Sequence, residues 1–160
     1  MSNLVRFVFS REMPLWRYCL IAGVLAFAGS LALSESVEAI LTMLGVDVAA
    51  LQPAPLRDDA LGVVLVVIVA PLVESLLLAL TIIALGYLMR GRVALAVCAA
   101  LVWASLHALA GPLWFFGVLF SFFIFSMGYL TWRPKSLFAA YLAAAIPHVL
   151  LNMAAMLLPV

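Results

Sequence analysis

The chain has 160 residues, of which 69% are hydrophobic and 9% are charged, and its formal net charge is +1. This composition, with a mean hydropathy of +1.31, excludes an ordinary soluble domain, and the near-neutral charge gives no indication of nucleic acid as a partner. We therefore expect one integral membrane domain over residues 1–160, surrounded by the lipid bilayer.

Five apolar stretches are long enough to be candidate membrane spans, and short breaks separate them. The predicted fold class is therefore all-α, a polytopic bundle of about five transmembrane helices. The first stretch follows a basic segment, but its length and the lack of a small-residue cleavage site favour a retained anchor over a signal peptide. In chain order, the candidate spans are Leu15–Leu33, Leu61–Met89, Val93–Ala110, Leu113–Trp132 and Leu137–Leu158.

The segment after the first span has a helical pattern of its own. Apolar residues recur at helical spacing at Val37, Ile40, Leu41 and Leu44. This pattern predicts a short interfacial helix, followed by a loop that contains proline.

The basic residues alternate between the two sides of the predicted bundle. The amino terminus and the second and fourth loops lie on one side, and they contain most of the basic residues: Arg6, Arg11, Arg17, Arg90, Arg92, Arg133 and Lys135. The other side has only Arg57. By the positive-inside rule, we expect a cytoplasmic amino terminus and an outward carboxyl terminus.

Ionisable side chains at membrane depth are expensive, at roughly 2.5–3.5 kcal/mol each on insertion scales. The acidic and imidazole groups within the spans are Glu74, His107 and His148, and Asn152 follows His148 on the same helical face. Counted from the basic turn that bounds each helix, the three ionisable groups lie at roughly 20–22 Å, since a helix rises about 1.5 Å per residue. The sequence therefore predicts one polar site in the outward half of the membrane.

Two prolines mark the same positions. Pro71 lies one turn before Glu74, and Pro147 directly precedes His148. Each proline removes a helical hydrogen bond and frees a carbonyl, which protein or water must satisfy at membrane depth. A polar pocket would do so, although simple kinks for packing would explain either proline alone.

A glutamate, two histidines and an asparagine can hydrolyse a peptide bond without a covalent nucleophile. Glu74 would act as general base toward water held by an imidazole, and the other imidazole with the Asn152 amide would donate to the oxyanion. Alternatively, Glu74, His107 and His148 would be three ligands of a catalytic zinc. No HExxH spacing places two such ligands on one helix, so we favour the site without a metal.

Three short segments, APLVESLLLAL, WASLH and HVLLN, resemble in order and spacing the motifs of the CPBP family of intramembrane proteases. This family includes type II CAAX prenyl endopeptidases and bacteriocin-processing or immunity (Abi-like) proteins. Its motifs are Glu-Glu-x-x-x-Arg, Phe-x-x-x-His and His-x-x-x-Asn or Asp. The chain matches them with Glu74, with His107 after Trp103, and with His148 and Asn152, in a core of about residues 60–158.

The resemblance implies a glutamic intramembrane endopeptidase of the CPBP type. Carried over to this chain, it implies that Glu74 and His107 activate water, and that His148 and Asn152 stabilise the oxyanion. The family has also been described as metalloproteases.

The first motif departs from the family at two positions, where Ser75 replaces the second Glu and Ala79 replaces the Arg. The absence of both the second Glu and the Arg is typical of the loss of an ion pair. Small or apolar residues can replace such a pair with little loss of stability. We therefore interpret the missing pair as structural. The departure also favours the alternative of a non-catalytic scaffold or substrate-binding subunit that uses the polar cluster for helix packing.

The predicted depth of the site bears on its substrate. A site near the outer leaflet suits cleavage of a membrane-anchored protein or peptide, such as removal of a carboxy-terminal sorting helix from an exported protein. A prenylated cytoplasmic tail fits this depth less well. A small proton-coupled transporter is a further alternative, but one buried acid and no inverted repeat speak against it.

Overall fold

The computed structural model describes residues 12–54 and 59–158, and within these ranges it contains helices and no β-strand. The long helices are α1 (Leu15–Met43), α2 (Ala60–Leu88), α3 (Arg92–Ala108), α4 (Trp114–Trp132) and α5 (Leu137–Leu157). Four of them are long and apolar enough to cross a membrane, and α3 is an apolar helix of 17 residues. The prediction of an all-α membrane bundle is confirmed at this level.

The prediction of a separate interfacial helix after the first span is wrong, because α1 continues unbroken to Met43. Residues 34–36 contain neither proline nor glycine, so nothing in them stops the helix. The helix ends at Met43, and two residues later Gly45 has a φ of 75°, a conformation that favours glycine. There the Val46 N–H donates to the Leu41 carbonyl at 3.0 Å, which closes a Schellman turn.

Helix α4 is the centre of the bundle, and α1, α3 and α5 pack around it. The α4–α5 contact depends on Gly128, where a Cβ atom would lie 2.5 Å from the Ala143 carbonyl oxygen. That carbonyl lies four residues before Pro147, which has no N–H to donate to it. Glycine therefore lets the proline-containing part of α5 approach α4 closely.

The starts of α1 and α3 meet the end of α4. Arg92 Nη2 donates to Thr131 Oγ1 at 2.6 Å, and the Tyr18 ring packs edge-on against Trp132 with centroids 5.7 Å apart. We call this the basic end, because its turns carry the described basic residues Arg17, Arg90, Arg92, Arg133 and Lys135.

At the opposite, acidic end, the loop after α1 packs on the loop between α3 and α4. The Leu113 N–H donates to the Leu51 carbonyl at 3.2 Å. The described charged residues here are Glu35, Glu38, Asp47 and Asp59. The predictions for Arg6, Arg11 and Arg57 fall outside the described residues.

Candidate intramembrane polar site

Helix α2 packs one face against the bundle, and Glu74 lies at the margin of that face. The buried residues of this stretch are Pro71, Ser75, Leu78, Ala79 and Ile82. The Glu74 side chain keeps 25% of its surface exposed, compared with 15% for His107 and 6% for His148. The carboxyl group therefore retains access from outside the packed core, while both imidazoles are largely enclosed.

The structure brings together the three ionisable groups for which the sequence predicted a common depth. Glu74 Oε2 lies 3.8 Å from His107 Nε2 and 3.7 Å from His148 Nε2. Both separations exceed a direct hydrogen bond of about 2.7–3.2 Å. A water molecule beside either gap would be within hydrogen-bonding distance of both groups, so this geometry suits a carboxyl and two imidazoles that share water.

The hydrogen bond of His107 sets its neutral tautomer. His107 Nδ1 lies 2.9 Å from the Trp103 carbonyl oxygen, which is an acceptor, so Nδ1 carries the proton. His107 Nε2 then presents a lone pair toward Glu74. The Trp103 indole N–H also donates to Thr81 Oγ1 at 3.3 Å, which joins α3 to α2 beside the site.

His148 has the opposite arrangement. Its Nδ1 is buried and has no hydrogen-bond partner among the described residues. A buried N–H without an acceptor is rarer and more costly than an unused acceptor lone pair, so we assign the proton to Nε2. The two imidazoles thus face Glu74 with different chemistry, His107 as a proton acceptor and His148 as a donor.

Aromatic rings of α4 hold both imidazoles. Phe122 lies between them, with centroids 5.2 Å from His107 and 5.4 Å from His148. Phe125 stacks on His148 at 4.6 Å, and Trp114 meets His107 edge-on at 5.2 Å. These contacts restrict rotation of the rings, so the directions of both Nε2 atoms are fixed by packing.

Asn152 makes a different contact from the other predicted site residues. Its Nδ2 donates to the main-chain carbonyl of Val66, in α2, at 2.9 Å. The sequence predicted that Pro71 would leave a nearby main-chain carbonyl in need of a hydrogen-bond donor, and the Asn152 amide is such a donor. The role of Asn152 as an oxyanion donor stays a prediction.

The two departures from the CPBP motif are buried in the packed face of α2. Ser75 is 0% exposed and Ala79 is 7% exposed. Ser75 Oγ has no hydrogen-bond partner among the described residues. Small side chains therefore occupy this part of the interface.

Glu74, His107 and His148 are the residues that would have to supply the ligands of the alternative zinc site. Among residues 12–54 and 59–158, no group of three or more His, Cys, Asp or Glu side chains has the geometry to hold a metal ion. The zinc alternative stays a prediction.

Some contributors to the site were not identified from sequence, among them Phe122, Phe125 and Tyr141. The phenylalanines belong to an aromatic-rich helix in which no single ring stands out. Tyr141, whose hydroxyl donates to the Leu72 carbonyl at 3.1 Å, did have a signal. It lies seven residues before His148, on the same helical face.

The fold and the site together define a membrane-embedded helical bundle that encloses one acid and two imidazoles between α2, α3 and α5. Comparison with known protein families, curated proteins and solved structures found no match.

Proposed function

We propose that this protein is an intramembrane peptide-bond hydrolase, in which water activated by Glu74 and His107 cleaves a membrane-anchored protein or peptide. The observation that carries the proposal is the placement of Glu74 Oε2 within 3.8 Å of two imidazole nitrogens of opposite hydrogen-bonding character. General acid–base catalysis needs such groups within reach of one water molecule.

The reaction follows from the two tautomers. Water attacks the scissile carbonyl carbon while Glu74, assisted by the lone pair of His107 Nε2, accepts its proton. His148 Nε2–H donates to the oxyanion that forms on the carbonyl oxygen. When the C–N bond breaks, the stored proton passes to the leaving amine, which yields one carboxyl and one amino terminus.

The substrate class is inferred from the position of the site. By the count of helical residues, His107 and His148 lie closer to the acidic end than to the basic end, and Glu74 lies midway along α2. We place the basic end in the cytoplasm. The site then acts near the outer leaflet of a bacterial inner membrane. Removal of a carboxy-terminal sorting helix from an exported protein suits this depth.

The proposal is tested with purified protein in liposomes and a panel of reporters, each an exported domain followed by a carboxy-terminal membrane helix. Wild-type protein is expected to release the exported domain from at least one reporter, with a new carboxyl terminus defined by mass spectrometry. If no reporter is cleaved by wild-type protein, the assignment as a protease of such substrates fails.

The proposed topology predicts the accessibility of two loops. In a Cys98→Ser background, a membrane-impermeant maleimide should label Pro112→Cys in intact cells and label Lys135→Cys only after permeabilisation. Both positions are exposed, and the other native thiol, Cys19, is buried. The reverse labelling pattern would place the acidic end, and the site near it, on the cytoplasmic side.

The site without a metal predicts that chelators leave cleavage unchanged. Wild-type protein incubated with 1,10-phenanthroline, then assayed with a cleaved reporter, should keep its full rate, because the proposed proton transfers use side chains alone. A known zinc protease in the same liposomes is the control. Loss of cleavage that added Zn²⁺ restores would instead support Glu74, His107 and His148 as zinc ligands.

A second candidate is a non-catalytic scaffold in which the polar cluster serves helix packing. The observation that favours it is the use of the Asn152 amide on the Val66 carbonyl, together with aromatic packing around both imidazoles. This candidate predicts that Glu74→Gln lowers thermal stability or partner binding, and that wild-type protein cleaves no reporter.

A further inference from the structure

Two side chains of α5 donate hydrogen bonds to main-chain carbonyls of α2. Asn152 Nδ2 reaches the Val66 carbonyl at 2.9 Å, and Tyr141 Oη reaches the Leu72 carbonyl at 3.1 Å. His148, which faces Glu74, lies between them on the same face of α5. One stripe of α5 therefore contacts α2 at two backbone positions and at the carboxyl group.

The Val66 carbonyl needs a donor from outside its own helix. Residues Leu65–Val69 form a π-helical turn, in which the Ala70 N–H bonds to the Leu65 carbonyl. The next residue, Pro71, has no N–H. Neither the fourth nor the fifth residue after Val66 can therefore satisfy this carbonyl, and Asn152 supplies the missing hydrogen bond.

We propose that Asn152 and Tyr141 are positioning residues, which hold α2 at a fixed height against α5 so that Glu74 faces His148. The Leu72 carbonyl is only two residues from Glu74, and the Val66 carbonyl is about two turns from it. The two bonds therefore fix the helix on the amino-terminal side of the carboxyl group. The effect expected on cleavage rests on the proposed hydrolase function. The effects expected on stability and on Glu74 labelling do not.

This role differs from donation to an oxyanion, and a double-mutant cycle with Pro71 separates the two. In Pro71→Ala, the restored N–H can satisfy the Val66 carbonyl, either directly in the π-helical turn or by letting Ala70 bond to it in a regular α-helix. Asn152→Ala should then be tolerated in the Pro71→Ala background. An oxyanion donor cannot be replaced in this way.

Three readouts are measured on the four proteins of this cycle in detergent or liposomes. Asn152→Ala alone is expected to lower the melting temperature by roughly 2–10 °C, to change the rate at which dicyclohexylcarbodiimide modifies Glu74, and to slow reporter cleavage by up to about 10²-fold. In the Pro71→Ala background, each of these effects should largely disappear.

The matched control is Pro147→Ala, which also replaces a fully buried helical proline but lies in α5. It restores no donor to Val66 and should not rescue Asn152→Ala. Equal effects of Asn152→Ala with and without Pro71 would overturn the proposal. The melting temperature and Glu74 labelling decide this even when no reporter is cleaved, so failure of the hydrolase proposal remains distinguishable.

Tyr141→Phe removes only the second hydrogen bond. We expect it to change Glu74 labelling in the same direction as Asn152→Ala, with Tyr87→Phe as control because Tyr87 is exposed at the end of α2. Unchanged labelling of Glu74 in Tyr141→Phe would remove Tyr141 from the proposal.

Discussion

Glu74→Gln is expected to slow reporter cleavage by about 10²–10⁴-fold, the usual contribution of a positioned general base. Glutamine has nearly the size of glutamate, so the packing of α2 at Ser75 and Leu78 should be kept. An amide, however, cannot accept a proton from water. The measurement is the initial rate of release of the exported domain in liposomes, at equal amounts of folded protein.

The matched control for this variant is Glu35→Gln, which makes the same chemical change at an exposed position of α1. It should leave the cleavage rate and the melting temperature at wild-type values. Full cleavage by Glu74→Gln would contradict the proposed chemistry. Loss of cleavage with a collapsed melting temperature would instead indicate that the carboxyl group is structural.

The convergence of Glu74, His107 and His148 was predictable because helical rise is nearly constant. Each residue lies a similar distance from a turn at the basic end, and basic turns mark one membrane surface. Counting along each helix therefore gives depth without knowledge of packing. The count does not show which way each side chain faces around its helix. Few polar residues occur at this depth, however, so few combinations of polar side chains could form a site.

The role of Asn152 was less accessible from sequence. Its partner is the Val66 carbonyl, a main-chain group that is free only because a π-helical turn precedes Pro71. Side-chain patterns do not reveal which carbonyl such a turn leaves unpaired. The proline did indicate that some donor was needed, and Asn152 was a candidate, but for a different role.

The end of α1 shows a second limit. The first candidate span ends at Leu33, which the polar residues Ser34, Glu35 and Ser36 follow. Polarity ends the membrane-embedded part of a helix but does not end the helix itself. The stop is Gly45, where the backbone adopts a positive φ.

The assignment of different protons to the two imidazoles predicts different responses to the same substitution. His148→Gln should retain much of the cleavage that His148→Ala loses, because a glutamine amide can donate a hydrogen bond where the imidazole Nε2–H did. Removing the oxyanion donor in His148→Ala should cost about 10²–10³-fold in rate. The measurement compares the four single variants, Gln and Ala at each histidine, with one reporter.

At His107 the two substitutions should be equally damaging, each by about 10²–10⁴-fold. A glutamine amide has no basic lone pair, so it cannot assist Glu74 as the His107 Nε2 does, whatever its orientation. Rescue by glutamine at His107 and not at His148 would reverse the two roles and contradict the tautomers inferred from the Trp103 carbonyl. Both histidines contact Phe122, so a general loss of packing would affect the two sets of variants alike. Rescue by glutamine at His148 but not at His107 is expected only if His148 donates a hydrogen bond and His107 accepts a proton.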